Sequence, residues 1–176
     1  MANGLPDIIA GNLDVLFCGI NPGMQAAATG HHFAGPSNRF WRVIHRAGFT
    51  QDEITADTDR TILSYGCGLT TVVGRPTARA DEISRREFTA AGAEFERKVA
   101  HYAPRFVAFL GKAAYAALSG RPDVRWGPQS ATIAGSAIWV LPNPSGRNRA
   151  FTCDRLVTAY RDLRVAAFES PPSFSR

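Results

Sequence analysis

The chain has 176 residues, of which 45% are hydrophobic and 20% charged, a composition typical of a folded protein and not of a disordered or fibrous one. This length suits one domain, predicted to span 1–168 and to be followed by a flexible tail at 169–176. No uncharged apolar run approaches the roughly 18 residues that a membrane span needs, and the first residues do not resemble a signal peptide, so we expect a cytoplasmic protein.

The first half of the chain alternates predicted strands and helices. An almost unbroken apolar run at 14–20 predicts a strand buried on both faces, and Asn21-Pro22-Gly23 ends it. Apolar residues at helical spacing predict a helix over 38–47. A second apolar run near 67–73 predicts the next strand.

The same alternation continues after residue 80. Ser84 and Glu87 form a predicted capping box for a helix that Pro104 stops. Apolar runs then predict strands at 105–110 and 137–141.

Two more helices complete the pattern, a short one over 112–118 and a last one that buries Leu156, Tyr160 and Leu163. Strands that alternate with helices imply right-handed crossovers and a mostly parallel sheet covered by helices on both faces. The fold class predicted is therefore α/β.

The charged residues favour an anionic partner. The net charge is +5, and Lys98 and Lys112 are the only lysines among 20 basic residues. Arginine has a planar fork that grips phosphate, so a polyanionic backbone is one interpretation and a solvated arginine-rich surface is the other. The three cysteines, Cys18, Cys67 and Cys153, are odd in number and widely spaced, which argues against disulfides, zinc and iron–sulfur clusters.

Two asparagines follow predicted strands, where ligands bind in parallel sheets. Asn21 and Asn143 each precede a proline, which restricts the backbone, although such pairs are also ordinary turn punctuation. His31 and His32 lack a Cys or carboxylate at ligand spacing, so we expect no metal. The turn at 19–23 lacks a dinucleotide fingerprint, so we expect no cofactor.

Four segments together resemble the mismatch-specific uracil-DNA glycosylases, which belong with the thymine-DNA glycosylases. They are Gly19-Ile20-Asn21-Pro22-Gly23, Phe33 with Asn38-Arg39-Phe40-Trp41, Arg75-Pro76-Thr77, and Leu141-Pro142-Asn143-Pro144-Ser145-Gly146. The resemblance implies a three-layer sandwich whose central, mainly parallel sheet has four strands between helices. It also implies hydrolysis of the N-glycosidic bond of uracil opposite guanine, without metal or cofactor.

The resemblance assigns roles by position. Asn21 corresponds to the residue that orients the attacking water, and Phe33 to the ring that stacks on the extruded base. Ile20 and Asn143 complete the base pocket with Gly23.

The loop after Asn143 corresponds to the segment that enters the minor groove. It contributes Ser145 and Gly146, then Arg147 where relatives carry an apolar wedge, and Arg149 is also expected to bind DNA. Asp81 is a carboxylate that could assist near the sugar, and otherwise an exposed loop acid or a cap.

Gly23 bears on the range of substrates. Stringent uracil-specific relatives carry tyrosine at the matching place, where a ring would exclude a methyl group at C5. Glycine predicts room for thymine and etheno-type adducts, and alternatively it supplies only a turn with positive φ.

Two other functions stay open on this evidence: a non-catalytic mismatch-binding protein, and a glycosylase of the same fold for deaminated purines. The expected partner is double-stranded DNA with a G·U or G·T mismatch, bound by a monomer near the nucleoid with no membrane involved.

Overall fold

The computed structural model describes residues 4–169, which form a five-stranded sheet covered by helices. The strands run in the spatial order β2-β1-β3-β5-β4. Their bounds are Val15–Gly19 for β1, Cys67–Thr71 for β2, Phe106–Leu110 for β3, Gly127–Ile133 for β4 and Ser136–Leu141 for β5. The first four in this spatial order are parallel, and β4 is antiparallel to β5. The predicted α/β class is confirmed.

The strand count differs from the expectation, which was four. The additional strand is β4, an edge strand that is mostly exposed and has an irregular register between Pro128 and Thr132. Ala134 and Gly135, both with positive φ, turn the chain tightly into β5. An exposed edge strand needs no apolar run, so hydrophobic patterning did not reveal it.

Within residues 4–169, five α-helices surround the sheet. They are α1 at Met24–Thr29, α2 at Phe40–Arg46, α3 at Arg85–Tyr102, α4 at Lys112–Ser119 and α5 at Cys153–Phe168. The helix α1 and a 3₁₀ segment at Ala56–Tyr65 are additions to the predicted elements.

The predicted capping box of α3 is present. The Glu87 amide donates to the Ser84 hydroxyl, and the Ser84 amide donates to the Glu87 carboxylate. The helix ends at Tyr102, and Ala103 then adopts φ 49° ahead of Pro104. Local sequence therefore sets both ends of this helix.

Buried side chains form one apolar layer on each face of the sheet. One layer joins the sheet to α2 and α5, and its fully buried members include Phe17, Phe40 and Tyr160. The other joins it to α3 and α4 around Phe95 and Phe109. The chain is thus a three-layer sandwich.

Two of the cysteines lie in these layers. Burial raises the pKa of the Cys18 thiol, and it raises that of Cys67 to about 12, so neither is a thiolate at neutral pH. Cys153 is only partly buried. Of the predicted tail at 169–176, only Glu169 lies within the described residues. Along 4–169 we find no helix that is both long and apolar enough to cross a membrane.

Candidate active site

A cavity of about 630 Å³ opens at the carboxyl edge of the parallel strands. Its walls come from the loop after β1, the segments 32–38 and 77–80, and the loop after β5. Seven of the predicted site residues line it, namely Ile20, Asn21, Gly23, Phe33, Asn143, Ser145 and Arg147. The topology therefore brings together residues that lie more than a hundred positions apart in the sequence.

Two hydrogen bonds fix the side chain of Asn21. Its Nδ2 donates to the Arg75 carbonyl and to the Thr77 hydroxyl, both at 2.8 Å. Because that hydroxyl donates its own proton to the Arg79 carbonyl at 2.6 Å, it can only accept from Asn21, which sets the orientation of the amide. Asn21 Oδ1 has no hydrogen-bond partner among residues 4–169 and remains available as an acceptor.

Gly23 lies in extended backbone, with φ −72° and ψ 161°. The alternative that it supplies a positive φ is therefore wrong. A Cβ atom at this position would meet no atom within 4 Å, so the space beside Gly23 is open. Other residues could therefore adopt this backbone conformation, and what glycine provides here is the space that a side chain would occupy.

The Phe33 ring is held against other aromatic rings. It stacks on Phe40 with centroids 4.1 Å apart and an interplanar angle of 24°, and it meets the edge of Trp41. The neighbouring His32 is buried; its amide donates to the Asp59 carboxylate, and its carbonyl accepts from the Trp41 indole. These contacts make Phe33 a rigid wall of the cavity.

His32 also joins this wall to the start of the chain. Its Nε2 donates to the Pro6 carbonyl at 2.8 Å, which fixes the tautomer because a carbonyl only accepts. Burial lowers the pKa of His32. The hydrogen bond to Pro6 and the carboxylate of Asp59 raise this pKa, but by less than burial lowers it.

Asn143 presents the opposite chemistry to Asn21. Its Oδ1 accepts from the Ser145 amide, and its carbonyl accepts from Asn148 Nδ2, both at 2.9 Å. Its own Nδ2 has no hydrogen-bond partner in the described part of the chain. Of these two asparagines, Asn21 thus offers the cavity a free acceptor and Asn143 a free donor.

Arg39 was not assigned a role by the sequence, although it lies in one of the motifs. Its guanidinium donates to four carbonyls of the loop after β5: Pro144 at 3.2 Å, Ser145 at 2.8 Å, Asn148 at 3.0 Å and Phe151 at 2.7 Å. These four hydrogen bonds cannot be read from a motif, because they join segments that are distant in sequence. Arg39 is therefore the residue that shapes this loop.

Close packing explains the glycine in the same loop. A Cβ at Gly146 would lie 2.7 Å from the Cβ and the carbonyl oxygen of Ser37, a distance that side chains do not tolerate. Arg147 and Arg149 are exposed, and neither has a carboxylate partner within residues 4–169. Their predicted contacts with DNA stay predictions.

Asp81 does not line the cavity. Its carboxylate is 65% exposed and forms an ion pair with Arg79 at 2.6 Å. The structure therefore does not bring it to the two asparagines, and its assistance to catalysis stays a prediction. In the region that the structure describes, no three His, Cys, Asp or Glu side chains lie close enough to hold a metal ion.

Known proteins resemble this chain over nearly its whole length. A family model described as the uracil DNA glycosylase superfamily matches residues 6–164. Among solved structures, the chain is similar to a solution NMR structure described as a "putative Uracil DNA glycosylase" from Methanosarcina acetivorans, with 21% sequence identity and a TM-score of 0.59. The match covers 93% of this chain and 98% of that one, and at this identity it shows the shared fold.

Proposed function

Because the chain belongs to the uracil DNA glycosylase superfamily, a family of DNA-repair hydrolases, we propose that it excises uracil mispaired with guanine and leaves an abasic site. The enzyme is monofunctional: it cuts the base from the sugar and leaves the strand intact. The observation that carries this proposal is the pair of amides in one cavity, with Asn21 Oδ1 free to accept and Asn143 Nδ2 free to donate.

The reaction begins with extrusion of the nucleotide. A base inside a duplex hides its glycosidic bond, and extrusion costs a few kcal/mol, least where a G·U wobble already weakens the pair. Stacking of the base on the Phe33 ring returns roughly 1 to 3 kcal/mol. The aromatic packing behind Phe33 keeps the ring in place before the base arrives, and Ile20 supplies apolar surface beside it.

Water then attacks the sugar. Asn21 Oδ1 accepts a hydrogen bond from a water molecule and aims its oxygen at C1′, while the bond between C1′ and N1 breaks and its electron pair leaves with uracil. Asn143 Nδ2 donates to a uracil carbonyl oxygen, where negative charge develops. An amide cannot take the proton, which passes to solvent, and since general-base help is worth roughly 10²- to 10⁴-fold we expect slow catalysis.

The loop after β5 holds the strained DNA. Ser145 and Gly146 approach the minor groove, and Arg147 takes the place of an apolar wedge at the cavity mouth. Arg149, exposed beside it, contacts phosphate or the widowed guanine. The open space at Gly23 extends the substrate range to thymine and etheno-type adducts, which react more slowly because they are poorer leaving groups.

A duplex panel tests the proposal. The monomeric protein is incubated with duplexes carrying U·G, T·G, U·A or hypoxanthine, and strand breaks are measured with and without alkali. We expect breaks with U·G only after alkali.

Other outcomes identify other functions. Binding without breaks in any duplex would make the protein a mismatch-binding module, and preference for hypoxanthine would make it a glycosylase for deaminated purines. Breaks without alkali would contradict the monofunctional reaction.

A further inference from the structure

Two cations on one surface lie over aromatic rings. Lys112 Nζ is 4.5 Å from the centroid of the Trp126 ring, and the Arg155 guanidinium carbon is 4.6 Å from that of Phe151. The two rings meet edge to face, with centroids 5.4 Å apart. These four side chains form one continuous strip, which we call the aromatic–basic ridge.

The charge of the ridge is not neutralised within the described residues. Neither Lys112 nor Arg155 has a carboxylate partner among residues 4–169, whereas Arg105, which also lies over an aromatic ring, forms an ion pair with Asp14. An aromatic face holds a cation in place without cancelling its charge. The ridge is also accessible, since Trp126 is 43% exposed.

The ridge lies at the same edge of the sheet as the cavity. Lys112 begins α4 directly after β3, and Trp126 precedes Gly127, which pairs with Val140 near the carboxyl end of β5. Phe151 is tied to the loop after β5 through the bond from Arg39. The ridge therefore extends from the end of β3 towards β4, away from the β1 loop that carries Asn21.

The spacing of the strands bounds the distance between the ridge and the reaction centre. Lys112 follows β3, one strand interval from β1, and Trp126 precedes β4, three intervals from β1, which corresponds to a range from about 5 to about 14 Å. At about 3.4 Å of duplex axis per nucleotide, this range corresponds to about one to about four nucleotides.

We propose that the aromatic–basic ridge binds the phosphate backbone of the substrate DNA within about four nucleotides of the extruded one. Lys112 and Arg155 contact the phosphates, and Trp126 and Phe151 hold the two cations outward. This inference rests on the proposed function, because DNA is the polyanion that the adjacent cavity would bring to this surface.

The first experiment compares Lys112→Ala with Arg121→Ala. Arg121 follows the other end of α4, is exposed and has no side-chain partner within 4–169. The substitution Arg121→Ala therefore removes one positive charge, as Lys112→Ala does, but outside the ridge. Affinity is measured against salt concentration with a duplex that carries a stable abasic analogue opposite guanine. We expect Lys112→Ala to weaken binding and to reduce the salt slope by about one, and Arg121→Ala to change neither.

The second experiment uses Trp126 as a fluorescent probe. Trp41 and Trp139 are 7% and 9% exposed, so Trp126 accounts for most quenching by acrylamide. Adding the same duplex should protect the wild-type fluorescence. Trp126→Phe keeps a ring beneath Lys112. Acrylamide should quench the fluorescence of this variant little, and adding the duplex should change that quenching little.

The third experiment shortens the DNA on one side of the abasic analogue at a time, from about ten to about two base pairs. We expect the loss of affinity caused by Lys112→Ala to become smaller when the DNA is shortened on one side of the abasic analogue, and to stay the same when it is shortened on the other side.

The outcomes separate the two proposals. Suppose that the wild type cleaves U·G duplexes. If Lys112→Ala and Arg121→Ala then have the same affinity and salt slope, or if DNA leaves the acrylamide quenching of the wild type unchanged, the ridge does not bind DNA and the proposed function stands. A wild type that neither binds nor cleaves any duplex overturns both.

Discussion

Two hydrogen bonds leave one atom of the Asn21 amide free for chemistry. Both N–H groups are used by Arg75 and Thr77, and the Thr77 hydroxyl is itself committed to the Arg79 carbonyl. These hydrogen bonds permit one orientation of the amide, so Oδ1 is already oriented as an acceptor before substrate binds. Positioning of this kind lowers a barrier before any proton moves.

We expect Asn21→Ala to lower single-turnover cleavage of a U·G duplex at least about tenfold while duplex affinity changes little, because the amide acts on water and not on DNA. Rapid-quench kinetics and a binding titration measure the two quantities. Thr77→Val, which removes the acceptor, should also slow cleavage, whereas Thr77→Ser should retain it. Equal losses in rate and affinity would contradict this role.

The open space at Gly23 leads to a prediction about substrate range. A Cβ there meets nothing within 4 Å and the backbone is extended, so Gly23→Tyr should fold normally. Its ring should reduce cleavage of a bulky etheno-type adduct more than cleavage of uracil, because it occupies the space beside C5. Both substrates are tested in otherwise identical duplexes, with a thermal melt and Gly23→Ala as controls. A variant that lost both activities equally, or kept both, would disprove the steric interpretation.

At the scale of elements, the loop after β5 owes its shape to two anchors. Tyr160 in α5 donates its hydroxyl proton to the Pro142 carbonyl at 2.8 Å, and Arg39 donates to four carbonyls beyond it. Gly146 allows the loop to approach Ser37 closely. The loop is therefore a preformed surface held by residues that do not themselves face the base.

We expect Arg39→Met to slow cleavage of uracil in a duplex at least about tenfold, since it removes several bonds from a charged donor, each worth about 1.5 to 3 kcal/mol. Uracil in single-stranded DNA should be affected less, because no paired base has to be extruded. Single-turnover rates on the two substrates give the comparison, with Arg39→Lys as a partial replacement. A variant that slowed equally on both would show that Arg39 supports the fold in general.

At the scale of the whole molecule, the buried His32 connects the site wall to the N-terminal segment. Its imidazole lies in the interior beside the Pro6 carbonyl, and burial lowers its pKa. The unfolded chain takes up this proton near pH 6.5 while the folded chain does not. This contribution to stability is therefore complete above that pH and declines as the pH falls below it.

We expect the Tm of the wild type to fall between about pH 7.5 and about pH 5.5 more steeply than that of His32→Gln. His101→Gln, a substitution at an exposed histidine, is measured over the same pH range for comparison. The ion pair between Glu87 and Arg75 lowers the pKa of Glu87 to about 2, so its effect falls at more acidic pH, outside this window. Parallel slopes for wild type and His32→Gln would exclude His32 as the cause.

Sequence patterns predicted the central strands and the long helices, and they missed elements that lack those patterns. The run that forms β1 is buried along almost all of its length, and the capping box at Ser84 begins α3 as predicted. The edge strand β4 carries no such run, and α1 has no side-chain cap. Elements whose stability comes from long-range contacts are the ones that local patterns leave out.

The amino-acid sequence by itself determined the α/β architecture and the two asparagines at the carboxyl edge, because strand burial and strand-to-turn transitions are written in neighbouring residues. Only the tertiary structure decided which amide atoms remain free, that Asp81 does not line the cavity, and that Arg39 shapes the loop. Asn21 and Arg75 are 54 positions apart, and Arg39 and Phe151 are 112 apart. Hydrogen bonds across such separations depend on the packing of the sheet and its helices, so no local pattern contains them.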